Sequence, residues 1–297
     1  MTTRRELLRN TALFSGAALL GSQILPSVSA QSEDPFEAPD NPIYAVILGW
    51  KIGPQIYSFN RFPFDEAIQK VRACDVASFE LYSGQKLSKK IDVRVGPDLL
   101  KPANKDAFKR FRELLAENEC VPHAMGVCPG NREHFEFAAT VGISVLNCEP
   151  GFDKLAEVNK LAEEYRISVG LHNHPKPSIY WDPQIVLDHL KDCSTRIGAC
   201  CDTGHWYRSG LDPLECVQKF KGRIVSFHIK DLNEQKRDIP LGKGVCKIAE
   251  ILQECAVQRV NAPFSIEYES DWDNNQPLVA EGVRFFRQTA KKIVQDS

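Results

Sequence analysis

Four residues with the chemistry to hold a divalent cation stand at the ends of four short apolar runs. They are Glu149 in Leu146-Asn147-Cys148-Glu149-Pro150, Asp202 in Cys200-Cys201-Asp202-Thr203-Gly204-His205, His228 in Ser226-Phe227-His228-Ile229-Lys230-Asp231, and Glu267 in Phe264-Ser265-Ile266-Glu267-Tyr268-Glu269. A single histidine in a strand usually marks a hydrogen-bonded core residue, and a single acid at a strand end is commonly a helix cap. Three carboxylates and an imidazole converging on one mouth are a different matter, because burying that much negative charge without a cation is very costly. Carboxylate-rich ligation with one histidine suits Mn2+, Mg2+ or Co2+, and Zn2+ is compatible. The sequence therefore predicts one divalent ion as cofactor.

Other polar groups lie close to these four. His172-Asn173-His174-Pro175-Lys176 ends a further run, and strand alternation puts His172 and His174 on one side and Asn173 on the other. His174 is the expected acid/base or substrate contact, and His172 a binding or structural residue. Lys230 follows His228 by two and shares its face, where an ammonium could steady an oxyanion or donate a proton; otherwise it pairs with Asp231 or a rim acid. His205 follows Asp202 by three and either orients it or faces the substrate. Glu80 fits a hydrogen bond to substrate hydroxyls or a salt bridge at the rim equally well.

Something must carry these residues to one place. Eight runs read as strands: 55–59, 78–82, 121–126, 144–148, 168–172, 198–202, 224–229 and 264–268. Amphipathic stretches alternate with them at 65–74, 105–117, 132–141, 153–165, 183–190, 213–220, 245–255 and 278–294. Asp182-Pro183 and Asp212-Pro213 are helix starts, with proline in the first turn. Strict alternation of eight strands and eight helices predicts an α/β fold, the (β/α)8 TIM barrel, whose active sites sit at the C-terminal strand ends. A doubly wound sheet is disfavoured, since no glycine-rich nucleotide turn follows the first strand. Leu241-Gly242-Lys243-Gly244, after the seventh, is a weak phosphate-binding signal and otherwise a turn.

The pattern resembles the xylose isomerase-like TIM-barrel superfamily, which includes sugar epimerases, hydroxypyruvate isomerase, inosose dehydratase and an endonuclease IV branch. The pieces that carry the resemblance are Gln55-Ile56-Tyr57-Ser58-Phe59, Phe79-Glu80-Leu81-Tyr82 and the motifs around Asp202, His228 and Glu267. It implies that Glu149, Asp202, His228 and Glu267 are the metal ligands. In the ketose epimerases of that family the two glutamates also move protons, and the position of His205 faces a substrate oxygen. A metal-chelated carbonyl acidifies the neighbouring C–H and stabilises an enediolate. The expected activity is thus a sugar isomerase or epimerase. The alternatives are a lyase acting on 3-keto-glycosides, or a dehydratase or hydratase, in which the same enediolate expels a neighbouring oxygen. A non-catalytic sugar-binding barrel is a minor alternative. Trp206, one of four tryptophans, is a candidate for stacking on a sugar ring.

Residues 1–30 combine Arg4-Arg5, a short apolar stretch and Val28-Ser29-Ala30, which reads as a twin-arginine export signal and predicts a periplasmic protein. Residues 31–45 read as a flexible leader and 46–297 as one catalytic domain. The apolar stretch is too short and too polar to span a bilayer. A formal net charge of −2 argues against a nucleic-acid surface, and with it against the nuclease branch. The expected partners are a sugar or keto-sugar, with a homodimer also compatible. Ten cysteines without a CxxC pair or zinc-finger spacing are expected to be mostly buried free thiols.

Overall fold

The computed structural model describes residues 48–297, so the expected export signal (1–30) and leader (31–45) both lie outside the described residues. Eight parallel strands form the barrel: β1 (Lys51–Pro54), β2 (Ser78–Leu81), β3 (Val121–Cys128), β4 (Val145–Cys148), β5 (Ser168–His172), β6 (Ile197–Asp202), β7 (Ile224–Ile229) and β8 (Pro263–Ile266). Hydrogen bonds run from β1 to β8 and on through β7, β6, β5, β4 and β3 to β2. A single parallel bridge, Gln55 to Glu80, joins the two ends of this order. The helices are α1 (Phe64–Arg72), α2 (Lys105–Glu117), α3 (Arg132–Val141), α4 (Leu155–Tyr165), α5 (Pro183–Leu190), α6 (Thr203–Arg208), α7 (Pro213–Lys219), α8 (Ile248–Gln258) and α9 (Gln276–Gln295). The eightfold alternation is as expected, with α6 added as a short extra turn at the mouth.

Local sequence explains the element ends. Asp182 and Asp212 each accept a hydrogen bond from the backbone N–H two residues on, at 2.8 and 2.9 Å, and Pro183 and Pro213 occupy the first turn. In α1, Phe64, Ala67, Ile68 and Val71 are buried at helical spacing. One expectation fails at the first strand, which is Lys51–Pro54 and not 55–59. The Gln55 side chain accepts from Tyr57 N at 2.8 Å and starts a 3-10 turn over Ile56–Phe59, so the chain leaves the sheet there. Gly53 is required in β1, because a Cβ would lie 1.7 Å from the carbonyl oxygen of Ser78 on β2.

Strand parity separates two interiors. Phe79, Phe227 and Phe264 point outward to the helices, where Phe227 stacks on Phe264 at 4.5 Å and Phe264 meets Phe286 of α9 at 5.1 Å. Ser78, Glu80, Ser226, His228 and Ser265 point inward and bond to one another or to His123 and Asn147. His123 sits between Ser78 Oγ at 2.8 Å and Ser265 Oγ at 3.0 Å. Burial pushes this imidazole down to about 4, against the charge of Glu80. Its folded value lies below its unfolded one, so the neutral ring contributes stability that is complete above about pH 6.5 and is lost as pH falls towards 4. The contribution is on the order of 3 kcal/mol. Thermal unfolding followed at pH 7 and 4.5 should therefore show a steeper acid loss in the wild type than in His123→Gln; parallel slopes would reject this assignment.

Among the described residues all ten cysteines are free, nine of them buried. No helix there is long and apolar enough to cross a membrane.

Candidate active site

The inward-facing parity continues past the strand ends and gathers Asp202, His228 and Glu267 in one buried centre. His228 Nδ1 lies 3.0 Å from Glu267 Oε2 and 3.9 Å from Asp202 Oδ2. Glu80, fully buried beneath, receives His228 Nε2 at 3.0 Å and is held by Ser265 Oγ at 2.5 Å and Asn147 Nδ2 at 2.9 Å. Its carboxyl is held low: burial opposes the charge, and His228 more than compensates. With Nε2–H given to Glu80, the other ring nitrogen of His228, Nδ1, is buried without an aligned hydrogen bond. Burial opposes charge on this ring, but Cys200, Glu80 and Glu267 raise it well above its ordinary value, so without an ion a proton occupies the Nδ1 position. A buried imidazole nitrogen grouped with two carboxylates is a place where a divalent ion can replace that proton, with Glu80 as the carboxylate that orients the ligating histidine. The residues present fit a divalent ion.

Lys230 is 1 % exposed, and its Nζ donates to Asp202 Oδ2 at 2.7 Å and to Glu267 Oε2 at 2.6 Å, with Glu269 at 3.8 Å. Although burial opposes it, these acids raise the ammonium well above its ordinary value. Burial likewise works against charge on Glu267 and Asp202. Lys230 and then His228 outweigh it for Glu267, while the Lys230 ammonium, 2.7 Å away, does so for Asp202, and both carboxyls are held low. Gly204 makes room for the lysine stem, since a Cβ there would meet Lys230 Cβ at 2.7 Å. Thr203 Oγ1 donates to Lys230 O at 2.7 Å and accepts from Lys230 N at 2.9 Å, which fixes the backbone.

A second cluster stands beside the first. Glu149 Oε1 is shared by His172 Nδ1 at 2.7 Å and by His174 Nδ1 in a shorter contact. Burial raises the Glu149 carboxyl, but the hydrogen bonds from His172 and His174 prevail and hold it at about 2. His174 is raised by its bond to Glu149, so it is readily protonated. Its ring stacks on His205 at 5.0 Å. Arg208 Nη1 donates to His205 Nδ1 at 3.1 Å and to Glu269 Oε2 at 2.8 Å, and Nη2 pairs with Asp238. Burial keeps His205 neutral, so with Nδ1 accepting from Arg208 its proton lies on Nε2.

These groups border a cavity of about 200 Å³ lined by Gln55, Tyr57, Tyr82, Gly126, Val127, His172, His174, His205, His228, Glu267 and Glu269. The predicted residues divide accordingly. His172, His174, His205, His228 and Glu267 line it. Asp202 and Lys230 lie at its floor, outside the lining, and Glu149 is set behind its two histidines. Glu149 therefore does not join Asp202, His228 and Glu267 in one cluster, contrary to the expected ligand set. Glu80 does not line the cavity; its oxygens are taken by His228, Ser265, Asn147 and Gln55 rather than offered to a sugar. Trp206 is 1 % exposed and packs on Phe220 at 5.9 Å, away from the cavity. The aromatic wall is instead Tyr57, which meets Tyr82 at 4.8 Å and Trp272 at 5.8 Å edge to face. Arg208 was not among the expected site residues, although its place three after His205 on one helix is a usable signal; nothing local marks Tyr57 or Tyr82 as lining residues.

A barrel with carboxylates and histidines gathered at its C-terminal mouth belongs to the class of enzymes that work at strand ends. The family model of the xylose isomerase-like TIM barrel matches residues 68–289, and the chain belongs to that family. A solved structure of a protein of unassigned function from Parabacteroides distasonis is 29% identical, with a TM-score of 0.65, covering 80% of this chain and 98% of that one. D-allulose 3-epimerase from Methylomonas sp., solved with D-allulose, is 15% identical with a TM-score of 0.62, covering 81% and 97%, and shows the shared fold. Inosose dehydratase of Bacillus cereus is 31% identical over 97 residues, which is 31% of this chain and 32% of that protein. The chain thus spans about a third of that curated relative. The general kind, a sugar isomerase, epimerase or dehydratase, fits these findings.

Proposed function

We propose that the protein is a divalent-metal-dependent enzyme that removes a proton from the carbon beside a sugar carbonyl, as isomerases and epimerases do. The observation that carries this reading is the grouping of buried His228 Nδ1, which has no aligned hydrogen bond, with the Asp202 and Glu267 carboxylates beside a small cavity. An ion held by these three would supply positive charge to a carbonyl oxygen and acidify the adjacent C–H. Glu267 lines the cavity as an ionised carboxylate and takes the proton. Lys230 keeps it ionised and fixes its direction. His205 Nε2–H donates to a substrate oxygen, its tautomer set by Arg208. On the other side, His174 with Glu149 behind it returns a proton.

A second reading, elimination of a substituent oxygen from a keto-glycoside or a hydroxyl from a keto-sugar, is favoured by two observations. His174 is held in a readily protonated state at the cavity, as an acid for a leaving oxygen must be. A larger cleft of about 600 Å³ shares Tyr57 and Tyr82 with the cavity and is lined by Gln85, Lys86 and Arg94 among others, with room for a group attached to the sugar. A twin-arginine signal at residues 4–5 would deliver the enzyme to a compartment where sugars arrive as glycosides, and this localisation is part of the proposal.

Proton NMR in D2O with the metal-loaded protein, free ketoses and 3-keto-glycosides tests both. Deuterium entering intact sugar beside its carbonyl supports isomerase or epimerase chemistry. Release of the aglycone with an unsaturated keto-sugar supports elimination. No change in any substrate removes the catalytic reading.

A further inference from the structure

We propose that the cleft beside the cavity is a subsite for an anionic group carried by the substrate, bound by Arg94 and Lys86. The proposal deepens the function proposed above and rests on its reading that the cavity takes a sugar.

The cleft measures about 600 Å³ and meets the cavity at Tyr57 and Tyr82, which border both. A substituent that leaves the cavity past these two rings enters the cleft. The two spaces differ in charge. Glu267 and Glu269 line the cavity, whereas the cleft is lined by Arg61, Lys86, Lys89 and Arg94 and by no carboxylate. In a chain with a formal net charge of −2 this wall is a local reversal of sign.

The backbone puts two of these cations side by side. Segment 84–95 folds back on itself, with Gly84 N bonded to Val95 O at 3.1 Å, Val95 N to Gln85 O at 2.8 Å and Leu87 N to Val93 O at 2.9 Å. Lys86 and Arg94 are directly opposite in an antiparallel bridge, so their side chains leave the same face. Like charges in that relation are destabilising. Lys86 is relieved by exposed Asp92, whose Oδ1 lies 2.9 Å from its Nζ. Arg94 Nη1 donates to Gly84 O at 2.6 Å, and among the described residues the guanidinium forms no ion pair. One of its five N–H groups is thus fixed on the backbone, while its charge is left without a counter-ion.

The other two cations contribute less. Arg61 is paired with Asp273 at 2.8 Å and Lys89 with Glu66 at 2.6 Å. The charge left over therefore sits at the Lys86–Arg94 bridge, where a carboxylate, sulfate or phosphate would accept charge-assisted hydrogen bonds from both. Its distance from the tyrosines is held by Gln85, which is buried and donates from Nε2 to Phe62 O at 2.8 Å and Phe59 O at 3.3 Å. Those bonds tie the folded-back segment to the 3-10 turn that carries Tyr57.

The test reads binding, so it does not depend on turnover. Dissociation constants are measured by calorimetry for phenyl β-glucoside and its 4-carboxy and 4-trimethylammonio derivatives, and for glucose against glucose 6-phosphate. The anionic member of one pair should bind about 10-fold more tightly than its neutral partner, as for two partly exposed charge contacts worth a few-fold each. The pair that shows the gain tells whether the charge belongs on the aglycone or on the sugar. The gain should shrink as salt is raised. Arg94→Gln should abolish most of it, Lys86→Gln part of it, and Arg94→Glu should make the trimethylammonio glucoside the preferred ligand. Both positions are exposed and stand apart from the catalytic cluster, so these variants should fold and exchange deuterium into ketoses as the wild type does. Equal binding of charged and neutral partners, binding of none of them, or a gain that survives Arg94→Gln would overturn the proposal. If 3-keto-glycosides react without regard to charge, the subsite is lost and the proposed function stands. A charge preference without any reaction keeps the subsite and removes the catalytic reading.

Discussion

Replacing Glu267 with Gln should lower turnover by about 10²–10⁴-fold, the range expected when a positioned general base is removed. Glu267 is the one lining carboxylate that also belongs to the Asp202–His228 cluster, so the substitution strikes proton transfer and ion binding together. The amide preserves shape, and the oxygen it retains can still accept from Lys230. What it loses is the negative charge that the lysine holds in place at 2.6 Å. Measured kcat with excess divalent ion separates the two effects, since restoring occupancy leaves the missing base unrepaired. Full activity in Glu267→Gln would remove the core of the proposed function.

Lys230→Met should produce the largest stability change at the site, and one that depends on metal. The ammonium is buried and bridges two buried carboxylates, and removing one partner of such a group typically costs about 3–5 kcal/mol because the opposing charge is left uncompensated. For a domain of this size that corresponds to a fall of about 10 °C in Tm, measured in chelator. A divalent ion bound by the same carboxylates supplies the missing charge, so excess Mn2+ should recover more of the Tm in Lys230→Met than it adds to the wild type. An equal response in both proteins would show that Lys230 and the ion do not share these carboxylates. The lysine's position explains why this prediction concerns stability and charge. Its protons point to Asp202 and Glu267 and not into the cavity, so the role of direct proton donor expected from its place beside His228 passes to His174 and His205, which do line it.

Much of this was legible in the residues. The alternation of apolar runs with amphipathic stretches predicts the eight-stranded barrel, and Asp-Pro pairs mark two helix starts, because those signals are local and repeat with the period of the element. The gathering of Asp202, His228 and Glu267 was equally legible, since a parallel barrel brings every strand end to one mouth whatever the details of packing. The first strand was misplaced because Gln55–Phe59 has strand composition but is turned out of the sheet by the Gln55 side chain at its start. That competition between a side chain and the ladder is invisible to periodicity.

What only the tertiary structure decided is how acids and histidines pair. Strand alternation places Glu80, Glu149, His172, His174 and Lys230 near the mouth, but depth along the barrel axis and the order in which side chains interleave depend on register between strands distant in sequence. Register sinks Glu80 beneath His228, sets Glu149 behind His172 and His174, and draws Lys230 between Asp202 and Glu267. The sequence by itself therefore determined the barrel and the set of residues at its mouth, through local periodicity and the parallel topology. Tertiary packing alone decided which acid pairs with which histidine or lysine and how deep each pair sits, because register between distant strands sets which side chains meet.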